Sequence, residues 1–168
     1  MGLLSLLGIT EAREPLNVGD KAPELVAIDQ NGAQIDFAQV YKKGITLVYF
    51  YPKADTPGCT AEACSLRDAF TQLTERGVQV IGVSTDKPAD QKKFQEKFHL
   101  PFTLIADSDK KVVEAFGVHT TMGLASRQSF LIRDGMIVWR DLKASTQQQA
   151  QDVLKALSAL KPDVAKLQ

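Results

Sequence analysis

Two hydrophobic patterns alternate along this chain. Ile45–Tyr51 is a run of mainly β-branched and aromatic residues that stops at Pro52. Because polar residues do not alternate with the apolar ones, the run predicts a central strand covered on both faces. Val78–Val83 predicts a second buried strand, and Phe102–Ile105 predicts a further one.

Apolar residues at helical spacing lie between these strands. After the first strand they recur at steps of four and three, at Cys59, Ala63, Leu66, Phe70 and Leu73. The stripe predicts one amphipathic helix from Cys59 to Arg76, ended by Gly77. Further helices are predicted over residues 89–98, with Pro88 near the start, and over 110–116 and 146–160.

Turn residues predict two hairpins. Strands over residues 25–28 and 34–37 flank an Asn-Gly pair, and strands over 128–132 and 136–139 flank Arg133-Asp-Gly135. The order of elements predicts an α/β fold with a mixed central β-sheet flanked by α-helices and an N-terminal β-hairpin. The thioredoxin-like fold has this order.

Length and charge limit the number of domains and the kinds of partner that the chain can have. The 168 residues are 44% hydrophobic, which suits one domain with a substantial core. Twenty basic residues balance twenty acidic ones, so no net field attracts nucleic acid or an anionic membrane. We therefore expect neither partner, and small neutral substrates fit this balance better.

The first residues are apolar but carry no export signal. Met1–Ile9 has no basic region before it and no Ala-x-Ala cleavage site, and it is too short to span a bilayer. We interpret residues 1–14 as an N-terminal arm that docks on the domain or on a neighbouring subunit, and residues 15–168 as the domain. The expected location is cytoplasmic.

Chemistry concentrates in the loop and helix after the first buried strand. If Thr56 is the N-cap, Pro57 takes the first helical position and Cys59 the third, where the Thr56 side chain normally reaches. Unpaired amides and the helix dipole then favour thiolate at Cys59. The alternative, a small buried hydrophobe, is weakened because the same loop carries Pro52, Thr56 and a second cysteine, Cys64.

These residues resemble a known family. The pattern Pro52-x-x-x-Thr56-x-x-Cys59 looks like the peroxiredoxin active-site motif, and Cys59-x-x-x-x-Cys64 is similar to the peroxiredoxin Q group, also called bacterioferritin comigratory proteins. The segment from Arg127 to Gly135 is similar to the family segment that begins with its active-site arginine. The resemblance covers roughly residues 16–160.

The resemblance implies a thiol peroxidase for hydrogen peroxide and organic hydroperoxides. Cys59 would be the peroxidatic nucleophile and Cys64 the resolving cysteine that forms an intramolecular disulfide, which thioredoxin or a similar dithiol reduces. Pro52, Thr56 and Arg127 would support the site. No cofactor is implied. We expect a monomer, with weak dimerisation left open.

Two further residues match family positions. Glu62 and Arg67 are interpreted as a second layer of residues that orients Arg127 or steadies the helix, and an exposed ion pair between the two is the alternative. A zinc site is not favoured, because His99 and His119 lack metal-ligand spacing.

Two other functions would use a similar fold or a similar sulfur switch, and the first lacks both of its sequence features in this chain. A thioredoxin-like disulfide reductase would use Cys-x-x-Cys and a proline where this chain has Ser126-Arg127. A redox sensor or holdase would use the same sulfur switch but consume about one equivalent of peroxide rather than many.

Helix geometry adds a conformational prediction. Five residues of α-helix separate the two cysteine Cα atoms by about 8.6 Å, beyond the roughly 7 Å that a disulfide spans. We expect residues 59–67 to be helical in the reduced protein and to unwind when Cys59 and Cys64 pair.

Overall fold

The structure, a computed structural model, describes residues 14–161. Its strands are β1 (Val26–Ile28), β2 (Gln34–Asp36), β3 (Ile45–Phe50), β4 (Val78–Ser84), β5 (Thr103–Ala106), β6 (Thr120–Thr121), β7 (Leu124–Ala125), β8 (Gln128–Arg133) and β9 (Met136–Asp141). Its helices are α1 (Phe37–Tyr41), α2 (Pro57–Asp68), α3 (Phe70–Glu75), α4 (Pro88–Phe98), α5 (Lys111–Ala115) and α6 (Gln149–Ala159). The predicted arm, residues 1–14, lies outside the described residues except for Glu14.

A five-stranded mixed sheet forms the centre, in the order β5-β4-β3-β8-β9. β3 pairs in parallel with β4 and antiparallel with β8, and β4 pairs in parallel with β5. β1 and β2 form a separate antiparallel hairpin. The predicted mixed sheet and N-terminal hairpin are therefore confirmed.

Alternate residues of β3 contribute to two separate cores. Leu47 and Tyr49 pack with α2, α3, α4 and α6 on one face of the sheet. Val48 and Phe50 pack with α1, α5 and the N-terminal hairpin on the other. All four side chains are fully buried, so the prediction of a strand covered on both faces is confirmed.

The predicted helix over residues 59–76 is wrong in one respect, because it is two helices. The backbone leaves helical geometry at Ala69, with φ −96° and ψ 7°. No Gly or Pro marks the break, so hydrophobic spacing alone does not reveal it. The predicted apolar face is nevertheless buried at Cys59, Ala63, Leu66 and Leu73.

Other boundaries differ because side chains compete for backbone groups. The sequence pattern places Phe37 in a strand, but the Asp36 carboxylate accepts a hydrogen bond from the Ala38 amide, so α1 begins at Phe37. α6 begins at Gln149 rather than at residue 146, because the Ser145 hydroxyl accepts the amides of Gln147 and Gln148. The short β6–β7 hairpin was not predicted.

No helix within residues 14–161 is long and apolar enough to cross a membrane.

Candidate active site

The candidate site lies at the carboxyl ends of β3 and β4 and the amino end of β8. Binding residues commonly lie at this edge of an α/β sheet. The loop from Pro52 to Thr56 leaves β3 and enters α2, whose first residue is Pro57. Cys59 is therefore the third residue of α2, as predicted, and faces the core.

Thr56 occupies the predicted N-cap position of α2, but its side chain does not make the expected capping hydrogen bond. Its backbone is extended, with φ −98° and ψ 156°, as an N-cap requires, but its side chain makes no capping hydrogen bond. The hydroxyl instead donates to the Lys53 carbonyl at 2.8 Å. The prediction that the Thr56 side chain accepts a hydrogen bond from the Cys59 amide is therefore wrong.

Arg127 joins Cys59 to Glu62. Its Nη2 atom donates to the Cys59 sulfur at 3.4 Å, and its Nη1 atom donates to Glu62 Oε1 at 2.9 Å. Cys59 is 1% exposed and Glu62 is fully buried. Arg127 lies 68 residues from Cys59 in sequence and reaches it from the residue just before β8.

Gly58 allows this approach. A Cβ atom at position 58 would lie 3.2 Å from Arg127 Nη2 and 3.2 Å from Thr146 Cγ2. Both distances are shorter than ordinary carbon contacts, so a larger residue would displace the guanidinium or the threonine methyl. Glycine in the first turn of α2 thus lets Arg127 lie against the helix backbone.

Burial and opposite charge act against each other in this cluster. Loss of hydration on burial raises the pKa of Glu62 to about 8, and the positive charge of Arg127 only partly offsets it. Burial alone would lower the pKa of Arg127, but Glu62 and Cys59 raise it above its usual value. Arg127 therefore stays charged, while the Glu62 carboxyl holds its proton to a higher pH than an exposed glutamate does.

Tyr49 contributes a second buried polar group to this region. Its pKa is raised well above the usual value, first by burial and then by Tyr51 and Glu62. Neither the Tyr49 hydroxyl nor Glu62 Oε2 has a hydrogen-bond partner among residues 14–161. A buried oxygen without a hydrogen-bond partner lowers the stability of the folded state, and more so when it is ionised. The stability of this cluster therefore depends on its protonation state.

The two cysteines occupy different environments on α2. Both are free thiols, and Cys64 is partly exposed. It lines a cleft of about 420 Å³ between α2 and α6, together with Ser65, Asp68, Gln147 and Gln151. Since α2 extends from Pro57 to Asp68, the prediction that residues 59–67 are helical with both thiols reduced is confirmed.

The remaining predicted residues divide between the site and its surroundings. Pro52 is partly buried in the loop before Cys59. Glu62 orients Arg127, so the alternative of an exposed ion pair is wrong. Arg67 contacts Asp68 and the Phe98 carbonyl instead, so it ties α2 to α4 and does not orient Arg127.

Sequence reasoning missed the roles of Gly58 and Tyr49 in this geometry. The sequence pattern assigns neither residue to the site. A glycine in a helix first turn, where Ala is more favourable, is a sequence signal for close approach. Nothing in the buried run of β3 distinguishes Tyr49.

Comparisons with known proteins agree on one family. Residues 18–140 match the AhpC/TSA family. The chain is 47% identical over 141 residues to Peroxiredoxin Bcp of Escherichia coli, covering 78% of this chain and 90% of that protein. It is 37% identical over 122 residues to chloroplastic Peroxiredoxin Q of Oryza sativa subsp. japonica, covering 71% and 56%.

Solved structures show the same architecture. Peroxidoxin BcpB from Mycobacterium tuberculosis superimposes with a TM-score of 0.82 at 30% identity, covering 88% of this chain and 99% of that one. A cysteine-to-serine mutant of Xylella fastidiosa PrxQ superimposes with a TM-score of 0.79 at 27% identity, covering 86% and 96%.

Proposed function

The chain belongs to the AhpC/TSA family and is a thiol peroxidase of the peroxiredoxin type, and from this premise we propose that Cys59 is the sulfur that attacks the peroxide. The observation that carries the assignment is the 3.4 Å contact from Arg127 Nη2 to the Cys59 sulfur. A cationic donor and a helix amino terminus both stabilise thiolate, which is the nucleophilic form. No such pair of features surrounds Cys64 among the described residues.

The first step transfers one oxygen atom. The Cys59 thiolate attacks the nearer peroxide oxygen, so an S–O bond forms as the O–O bond breaks. Cys59 becomes sulfenic acid, and the departing alkoxide or hydroxide takes up a proton as alcohol or water. Arg127 keeps its charge throughout and stabilises both the thiolate and the negative charge that develops on the departing oxygen.

Glu62 positions Arg127 for this step. Burial raises the pKa of the Glu62 carboxyl to about 8, which favours its protonated form at neutral pH, and its Oε1 atom accepts a hydrogen bond from the guanidinium. Protonation of Glu62 leaves more of the guanidinium charge to act on the Cys59 sulfur. Cys59 is 1% exposed, and the contact of a charged donor with a buried sulfur is stronger than the same contact in bulk water.

Cys64 completes the oxidative half of the cycle. Its thiol attacks the Cys59 sulfenic acid, an S–S bond forms and water leaves. The helix that holds the two cysteines apart must unwind first, because their Cα atoms are about 8.6 Å apart in a regular helix. Helix ends open at a lower free energy than the whole fold, so the cost is accessible.

The reductant side of the proposal follows from the family. Peroxiredoxins act on peroxides and are reduced by thioredoxin-like proteins, and we infer that thioredoxin supplies the dithiol here. Hydrogen peroxide and organic hydroperoxides are both proposed as substrates. We further propose that the protein acts in the cytoplasm as a monomer or weak dimer, with residues 1–14 as an arm that docks on the domain or on a neighbouring subunit.

A peroxide-consumption assay with and without thioredoxin tests these roles. Cys59→Ser should abolish turnover, since the activating contacts converge on that sulfur. Cys64→Ser should still react once with peroxide but lose thioredoxin-dependent recycling, and a dimedone-type probe should trap sulfenic acid on Cys59. Turnover retained by Cys59→Ser, or normal recycling by Cys64→Ser, would reject the corresponding role.

A further inference from the structure

The segment Ser84–Asp86, which we call the β4 exit, contacts both chain segments that build the site. Asp86 contacts the loop that leads to Cys59. Thr85 contacts the β6–β7 hairpin that leads to Arg127. Because Cys59 and Arg127 are brought together from 68 residues apart, their spacing depends on how these two segments are held.

Asp86 anchors the loop before Cys59 through one oxygen. Its Oδ2 atom accepts the Ala54 amide at 2.8 Å and the Ser84 hydroxyl at 2.6 Å. Ala54 lies between Pro52 and Thr56, in the loop that enters α2. The loop is therefore tied to the end of the central strand β4.

The base of this anchor is rigid. The Ser84 hydroxyl also accepts Gln91 Nε2 at 2.9 Å, and Gln91 Oε1 accepts the Tyr51 hydroxyl at 2.6 Å. Ser84, Gln91 and Tyr51 are fully buried. Side chains in such a satisfied buried network have little freedom to move, so Asp86 presents its oxygen at a fixed place.

Thr85 anchors the other segment of the site, the β6–β7 hairpin that leads to Arg127. Its hydroxyl donates to the Gly123 carbonyl at 2.8 Å, in the turn between β6 and β7. That turn is tight, with positive φ at both Met122 and Gly123. The hairpin ends at Ala125, two residues before Arg127, and the Ser126 amide donates to the His119 carbonyl at 2.9 Å.

We propose that Asp86 and Thr85 are positioning residues that together set the distance between the Cys59 sulfur and Arg127 Nη2. Neither touches the peroxide, and each acts through the segment that it holds. The proposal rests on the roles proposed above for Cys59 and Arg127. A shift of about 1 Å between reacting groups can slow a reaction on the order of 10²-fold, so the loss of either anchor should be measurable.

The test uses a Cys64→Ser parent, in which Cys59 is the single thiol. Asp86→Ala and Asp86→Asn are compared for the rate of Cys59 oxidation by hydrogen peroxide in one turnover. The pH profile of Cys59 alkylation by iodoacetamide is recorded in parallel. In Asp86→Ala, Cys59 should be oxidised at least about tenfold more slowly, and its alkylation profile should shift to higher pH. The reason is that Arg127 Nη2 and the Cys59 sulfur are no longer held at hydrogen-bonding distance.

Asp86→Asn distinguishes the hydrogen bonds from the charge. The amide oxygen of asparagine accepts from both Ala54 N and Ser84 Oγ, so this variant should keep a rate close to that of the parent. Thr85→Val provides an independent arm should Asp86→Ala fail to fold. It removes only the donor to Gly123 and should also slow oxidation several-fold, while Thr85→Ser should restore the rate.

Glu75→Ala is the matched control, since Glu75 is an exposed acid at the end of α3, away from the β4 exit. Thermal unfolding of every variant reports on global stability. The proposal is overturned by an Asp86→Ala variant that keeps the parent's oxidation rate and alkylation pH profile. Where Asp86→Ala does not fold, the same result in Thr85→Val overturns it. Equal losses in Asp86→Asn and Asp86→Ala also overturn it. A parent whose Cys59 does not react with peroxide would instead reject the proposed function.

Discussion

Cys59 and Glu62 are bound to the same guanidinium. Arg127 Nη2 donates to the Cys59 sulfur at 3.4 Å while Nη1 donates to Glu62 Oε1 at 2.9 Å. One positive charge therefore faces two groups that can each become negative. Because burial keeps Glu62 protonated up to about pH 8, the charge of Arg127 is directed to the sulfur at neutral pH.

Replacing Arg127 should slow the first reaction strongly. Arg127→Leu removes a charge-assisted donor from both the thiolate and the departing oxygen, so the rate of Cys59 oxidation should fall about 10²-fold or more. Arg127→Lys should recover only part of this, because one ammonium does not match the fork that reaches both partners. Stopped-flow peroxide kinetics measure the effect, with Arg76→Leu as an exposed control. A rate unchanged in Arg127→Leu would make the contact incidental.

Glu62→Gln should change how stability depends on pH. The native carboxyl keeps its proton up to about pH 8, whereas the unfolded one loses it near pH 4.3, so the native state binds more protons between these values. The free energy of unfolding of the wild type should therefore fall as pH rises through this window, by up to about 1.4 kcal/mol per pH unit.

Glutamine does not titrate, so the stability of Glu62→Gln relative to the wild type should increase from pH 5 to pH 8. Urea unfolding at several pH values measures the difference, and other titrating groups cancel in it. Glu75→Gln serves as the exposed control. Parallel curves for Glu62→Gln and the wild type would mean that Glu62 is ionised across the whole window.

Gly58→Ala should separate rate from stability. Alanine in the first turn of α2 lowers the entropy of the unfolded chain, an effect worth about 0.4–1 kcal/mol, and its two 3.2 Å contacts act against this gain in stability. Its methyl group would lie 3.2 Å from Arg127 Nη2, so the guanidinium should shift and Cys59 oxidation should slow several-fold. Combining it with Thr146→Ser relieves the second contact alone. Recovery of the rate in that double variant would contradict a role through Arg127.

Oxidation should unwind the start of α2. Forming the disulfide between Cys59 and Cys64 requires the helix to open, so amide protection across Thr60 to Arg67 should fall in the oxidised protein. The bond from the Ala150 amide to the Ser65 hydroxyl should be lost as well. Hydrogen exchange on reduced and oxidised samples measures this, with the β3–β4 ladder as an internal reference. Equal protection in both states would show that the two sulfurs do not pair within this segment.

Much of the fold follows from patterns that are local in sequence. The unbroken apolar run of β3 and the stripe on α2 each report how one element is buried, and the Asn31-Gly32 turn reports a hairpin. Such signals need no knowledge of distant residues. The break at Ala69 and the start of α1 at Phe37 escaped them, because backbone geometry and a single Asp36 side chain decided those boundaries.

The sequence by itself determined the position of Cys59 in the first turn of a helix after a buried strand, because Pro57 and the strand–loop–helix order are properties of neighbouring residues. The motif resemblance named Arg127, but only the tertiary structure decided how its charge meets that sulfur. Glu62 is fully buried, Gly58 admits the guanidinium, and the β4 exit holds loop and hairpin together. These contacts join segments far apart in the chain, and burial shifts a pKa only once such segments have packed around the group.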